Sequence, residues 1–372
     1  MERNVKFDLM KGGGIILMVI GHCALPHAVS RVIFAFHMPL FFIISGYLYK
    51  ERPIMDIIRR NTKKVLVPYI VTGGIVWCIL SITKEDYDWG ISILMANGSL
   101  PVLHYKDYAV GPLWFLMCYF VSAIFFFFLL RMKSEVWRIV VLGGGFLLAM
   151  GWRHYFNLLP FDILNAIPSI GFMYLGYKIN NPSVCEVLFR NKVSLVIGYS
   201  IAILCCLCGE VSMASMIYRF LFLQFIGALY CCFIIYKICP DTQLSFGAKC
   251  FSFIGRNSLA LVCIHSVDYL TGITESIMRG LMKNGEFTLM LETVLKILFV
   301  VAGYIVIRQI PLLRSIYGIS VSLKKAFNNK IYGKKTSKGL YAKLTVLFHV
   351  LPLPFYGRAN KGYSVFFYER YS

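Results

Sequence analysis

The chain has 372 residues, of which 58% are hydrophobic, 16% aromatic and only 15% charged, whereas soluble domains carry roughly 25% charge. Together with a mean hydropathy of +0.68, this excludes an ordinary soluble enzyme and predicts an all-α, polytopic integral membrane protein. The formal net charge of +20 would point to nucleic acid in a soluble chain, but here the cations sit between apolar runs and in the tail. That distribution fits positive-inside topology and attraction to anionic lipid, with no nucleic-acid partner.

Apolar runs near the length needed to cross a hydrocarbon core of about 30 Å predict about ten transmembrane helices, over 9–28, 31–49, 65–83, 110–130, 138–153, 162–179, 193–209, 217–237, 252–272 and 289–309. Gly143, Gly144 and Gly145 weaken the fifth and Pro168 interrupts the sixth, although membrane helices tolerate both residue types. The first run carries charged residues and no A-x-A site follows it, so it reads as a retained helix and not a cleaved signal. Most of the twelve cysteines lie inside apolar runs as small hydrophobes, and the CCLC stretch at Cys205–Cys208 lacks metal-ligand spacing, so no metal is expected.

Orientation follows from the basic stretches. Lys50, Arg52, Arg59, Arg60, Lys63 and Lys64 follow the second run, and further clusters at 131–138, 178–192, 237–249 and from Arg308 onward fall on the same side if ten helices are counted. Both termini are then expected to be cytoplasmic. Arg279 and Lys283 fall on the outer side and run against this pattern. The domain division is a membrane domain over 1–320 and a basic cytoplasmic tail over 321–372, in which ten Lys or Arg oppose Glu369 alone. Apolar tail residues after Lys343 are broken by Pro352 and Pro354, so no eleventh span is expected.

The first run holds the chemistry. Lys11 and His22 are eleven residues apart, which on a helix leaves them about 20° apart in azimuth and about 16 Å apart along the axis. Asp8 falls within about 60° of Lys11, so three ionisable groups share one stripe. Ionisable groups at membrane depth are costly and mark a functional site by default. An imidazole among apolar groups is poised to take a hydroxyl proton near neutral pH, which makes His22 the candidate general base. Asp8 is its candidate supporting carboxylate and partner of Lys11. The second run places His37, followed by Met38 and Pro39, at a similar depth, where the proline frees a carbonyl and loosens the helix; His37 is a second candidate acid–base residue. Ser45–Gly46 is a small pair that lets a helix or a ligand approach closely. The outer loop from Lys84 to Asp107 mixes Tyr87, Trp89, His104, Tyr105 and Asp107, as sugar-binding surfaces do.

The segments D8-x2-K11-x10-H22 and Phe36-His37-Met38-Pro39-Leu40-Phe41-Phe42-Ile43-Ile44-Ser45-Gly46-Tyr47-Leu48, with weaker echoes in GPLWFL at Gly111–Leu116 and FIGRNSLALVCIHS at Phe253–Ser266, resemble the membrane-bound acyltransferase-3 family, particularly its fucose 4-O-acetylase-like branch. In the family the position of Lys11 is commonly Arg. The resemblance implies an O-acyltransferase of ten helices in the cell membrane, and a bacterial inner membrane is expected. It implies acetyl-coenzyme A as a cytoplasmic donor substrate, no bound cofactor, and an acceptor hydroxyl on a cell-surface polysaccharide or its lipid-linked precursor. Lys11 and Arg256 become candidates for the donor's phosphates, and Ser45, Trp114 and His265 for the substrate cavity, Trp114 by stacking a sugar ring. His22 either activates the hydroxyl directly or is transiently acylated; both routes stay open. The alternative is a secondary transporter or glycan flippase, since charged helices also build proton relays. Against it, the ionisable residues cluster in the first two helices and no internal repeat is evident.

Overall fold

The computed structural model describes residues 4–98, 109–156, 159–242, 245–281 and 289–319. Every apolar run forms a helix, but several boundaries differ from the sequence expectation. The order is α1 (Val5–Gly21), α2 (His27–Tyr47), α3 (Ile54–Asn61), α4 (Val67–Lys84), α5 (Gly90–Met95), α6 (Trp114–Arg131), α7 (Glu135–Phe156), α8 (Ile163–Ile179), α9 (Pro182–Phe189) and α10 (Lys192–Leu207). After a two-residue ribbon, β1 (Val211–Ser212) with β2 (Ile217–Tyr218), come α11 (Leu223–Ile238), α12 (Phe246–Arg256), α13 (Ser258–Thr271), α14 (Ile273–Leu281), α15 (Leu289–Gln309) and α16 (Pro311–Ile316).

Among the described residues, five helices are long and apolar enough to cross a membrane, or seven if each of two bent pairs counts as one span. The shortfall from ten has a geometric cause. Helix α1 has 17 residues, about 26 Å of rise, and α8 and α11 are equally short or shorter.

Three breaks reshape the expected spans. The first helix ends at Gly21, not near residue 28, because Pro26 biases the residue before it away from helical backbone. His22 is consequently the C-cap of α1, and Pro26 is the N-cap of α2. The ninth run is two helices, α12 and α13, bent by 74° at Asn257. Arg256 is therefore the last residue of α12 and not the first of a membrane-crossing helix. The eighth run starts late: Ile217 and Tyr218 belong to the ribbon, and left-handed Met216 and Leu221 turn the chain before α11. Conversely, the basic stretch after Lys50 is helical. A single turn of π-helix over Thr62–Leu66 joins α3 to α4 as a continuous 31-residue rod.

Two glycine-mediated crossings set the frame around the site. A Cβ on Gly12 of α1 would lie 2.0 Å from the Phe251 carbonyl oxygen, and one on Gly255 of α12 would lie 1.8 Å from that of Asp8. Helices α2 and α8 repeat the device: Gly46 would meet the Met173 oxygen at 1.8 Å and Gly176 the Ile43 oxygen at 2.0 Å. Such contact lets dispersion and backbone polarity hold helices together where lipid removes the hydrophobic drive. The small pair at Ser45–Gly46 thus includes a packing glycine, while Ser45 exchanges a 2.8 Å hydrogen bond with the Tyr119 hydroxyl on α6.

Candidate active site

Two cavities lie along the same three helices, α1, α2 and α6. The larger, about 530 Å³, is bounded by α1, α2, the rod of α3 and α4, α6 and the α12–α13 bend. Its lining carries six cations, Lys11, Lys50, Arg52, Arg60, Lys64 and Arg256, against one carboxylate, Asp8. They come from separate elements: the stripe of α1, the α2–α3 connection, the rod, and the bend beside Gly255. Ile44, Ser45, Phe41, Phe115 and Tyr119 also line it.

The smaller cavity, about 40 Å³, is lined by Met18, His22, Phe34, His37, Met38, Pro112, Trp114 and residues 212–214 of the ribbon turn. The two spaces are separated by about one helical turn. Ile15 faces the first and Met18 the second on α1; Phe41 and Met38 do the same on α2, and Phe115 and Trp114 on α6. The rings of Phe41 and Phe115, 5.5 Å apart, form part of the layer between them.

The smaller cavity is a cluster of imidazoles. His22 Nδ1–H donates to the Met18 carbonyl at 2.7 Å and His37 Nδ1–H donates to the Ile33 carbonyl at 2.9 Å. A carbonyl only accepts, so in both rings Nδ1 holds the proton and the Nε2 lone pair is left for chemistry. The His22 ring lies 5.2 Å from that of His265 and 5.0 Å from that of Tyr269, both on α13. Phe34 links the two sides, edge-on to His22 at 6.0 Å and to His37 at 4.9 Å. His265 is fully buried, and neither of its ring nitrogens has a hydrogen-bond partner among the described residues. Buried polar groups are otherwise nearly always paired, so this ring is an open donor and acceptor beside His22.

The sequence candidates thus divide. His22, His37, His265 and Trp114 come together in or against the smaller cavity. Lys11, Arg256, Ser45 and Asp8 line the larger one. Asp8, fourteen residues before His22 on α1, is about 21 Å away along the axis, so the structure associates it with the cations and not with the imidazole. In the stretch from Lys84 to Asp107, Trp89 is buried and Tyr87 exposed, while His104, Tyr105 and Asp107 lie outside the described residues, as does the tail.

One constellation was not anticipated. On α15, Lys296 Nζ donates to the His22 carbonyl oxygen at 2.6 Å and pairs with Glu292 at 2.7 Å; the other Glu292 oxygen accepts the Ala24 N–H at 2.9 Å. Thr293 adds a 3.6 Å contact to the Cys23 thiol. Glu292 and Lys296 are 7% and 3% exposed. The signal for them was a Glu-x3-Lys pair inside an apolar run, the same costly charge that singled out α1.

No solved structure matches the chain. It is 25% identical over 231 residues to the nodulation protein NolL of Mesorhizobium japonicum, an alignment covering 56% of this chain and 57% of that protein. The chain therefore spans little more than half the length of that relative. A family model described as an acyltransferase domain matches residues 4–309, nearly all of the described body and both cavities, and the chain belongs to the acyltransferase-3 family.

Proposed function

We propose that the protein is an integral-membrane O-acyltransferase that moves acetyl from acetyl-coenzyme A, taken from the cytoplasmic side, to a hydroxyl of a cell-surface polysaccharide or its lipid-linked precursor. The observation that carries this is the stacking of a six-cation cavity against a three-histidine cluster about one helical turn away on shared helices. Coenzyme A carries clustered phosphates at one end and its thioester at the end of a long flexible arm. Arg256 and Arg52 suit phosphates as planar forks and Lys11 as a point charge. The cavity charge favours an anionic ligand over a neutral glycan there. In this proposal the ten apolar helices all cross a bacterial inner membrane, with Lys11 near the cytoplasmic face and His22 deeper.

The chemistry is assigned to chain residues as follows. His22 Nε2 removes the proton from the acceptor hydroxyl, whose oxygen attacks the thioester carbonyl. The C–S bond breaks, the O–acyl bond forms, and coenzyme A leaves as a thiol after taking a proton. The N–H of a neutral His265 is suited to the oxygen that gains charge during attack, because it has no competing partner. His37 and Trp114 suit the acceptor, one by hydrogen bond and one by stacking on a sugar ring.

The test is acetyl transfer from labelled acetyl-coenzyme A in membranes containing the protein. Label is expected in the cell-envelope glycan fraction, above membranes without the protein. Equal labelling in the two would refute the assignment, and donor-independent glycan transport by reconstituted vesicles would replace it with a transporter.

A further inference from the structure

We propose that Glu292 and Lys296 of α15 form a charged clamp that positions His22 for proton transfer, acting through the backbone of the break between α1 and α2. The inference rests on the reading of His22 as the base.

The segment His22–Ala24 ends a helix. Terminal carbonyls of a helix lack intrahelical partners, and here the His22 carbonyl takes its donor from Lys296. Its own N–H is only weakly held, 3.3 Å from the Val19 oxygen. All three residues of the segment are held from one face of α15: the His22 carbonyl by Lys296, the Cys23 thiol by Thr293 and the Ala24 N–H by Glu292. The ring of His22 has a bond of its own to Met18, but the position of its Cα depends on whether α1 stops at this point. A cation at the C-terminal end of α1 also complements the helix dipole. The cost of burying two charges is large. A structural tie between two apolar helices needs no ions, since small residues do this work elsewhere in the molecule. What the pair adds is directionality: one donor and one acceptor, fixed relative to each other, gripping a carbonyl and an amide two residues apart.

The clamp predicts a signature that loss of packing alone would not give. Around His22 the titratable groups are Cys23 in the same turn, His37 on α2, His265, Asp268 and Tyr269 on α13, and Glu292 and Lys296 on α15. Only the last two change in the variants. Lys296→Met leaves a nearby carboxylate without its cation, which favours the protonated imidazole; Glu292→Gln leaves a cation, which disfavours it.

The experiment measures kcat, donor KM and the pH profile of acetyl transfer for Lys296→Met, Glu292→Gln and the double variant, each first checked for monodisperse extraction and coenzyme A binding. Expected are a fall in kcat of at least tenfold with donor KM within about threefold, and an acid limb shifted up by about one pH unit in Lys296→Met and down by a similar amount in Glu292→Gln. In the double variant the acid limb returns to its original position, but kcat stays low because the His22 carbonyl has lost its Lys296 donor. Restored kcat in the double variant would show a charge-balance role only and overturn the clamp. So would limbs that do not move in opposite directions. If Lys296→Met does not fold, Lys296→Gln, which removes the charge but keeps an N–H donor, supplies the upward acid limb and Glu292→Gln the downward one, and limbs that fail to part in this pair overturn the clamp equally. His22→Gln distinguishes the two layers: retained activity there refutes the base itself, whereas an inactive His22→Gln beside a fully active Glu292→Gln refutes the clamp alone.

Discussion

The two cavities differ in how their polar groups are held. In the larger one the cations come from different elements and face a space of about 530 Å³, an arrangement that tolerates a flexible polyanion. In the smaller one, with about 40 Å³, the rings of His22 and His37 are fixed by bonds to their own helices, and His22 is fixed again through α15. Binding a long anion needs charge in roughly the right place, whereas proton transfer needs hydrogen-bond reach of about 3 Å. The ring partners of His22 and His37 thus lie on their own helices, whereas the cations around the larger cavity come from separate elements, as the proposed division of roles requires.

Breaking this division should produce effects of very different size. The largest is expected from His22→Gln, a loss in kcat of about 10²–10⁴-fold, the range that a positioned general base supplies; turnover of purified protein in detergent checks it. Gly255→Val should come next, because its side chain would collide with the Asp8 backbone. Overpacking costs about 1–3 kcal/mol and occasionally more, so a lower melting midpoint and poor recovery of folded protein are expected, with Gly247 of the same helix, which meets nothing within 4 Å, tolerating the same change. Arg256→Ala and Lys11→Ala should each raise donor KM by about tenfold, the scale of one charge-assisted hydrogen bond, with kcat nearly kept. That rise should grow smaller in high salt as the wild-type attraction is screened. The smallest effect is expected from Ser45→Ala. It removes one neutral hydrogen bond to Tyr119, worth about 1 kcal/mol, and should change donor KM by less than about fivefold.

Much of this plan was legible in the sequence, because apolar runs and a charged stripe are strong local signals. The pairing of Lys11 and His22 on one helix, and of His22 with His37 at one depth, follows from spacing alone. Helix ends were less legible. Pro26 carried the information that α1 stops before it, yet the apolar residues on both sides hid the break. The bend at Asn257 has no proline to announce it. The Glu292–Lys296 pair has the spacing of an ordinary exposed ion pair, and only tertiary packing reveals that it grips the end of α1. Asp8 shows the converse: it shares the stripe with His22, but an axial offset of about 21 Å, fourteen residues along a helix, assigns it to the other cavity.

The most direct test of the division is to determine kcat and donor KM side by side for His22→Gln and Arg256→Ala, with bound coenzyme A measured in the same preparations. The account predicts a crossed pattern: His22→Gln binds coenzyme A as the wild type does but turns over at no more than about 1% of its rate, while Arg256→Ala turns over normally at saturating donor and binds weakly. Wild-type turnover in His22→Gln, or loss of coenzyme A binding there with turnover kept at saturation, would contradict it.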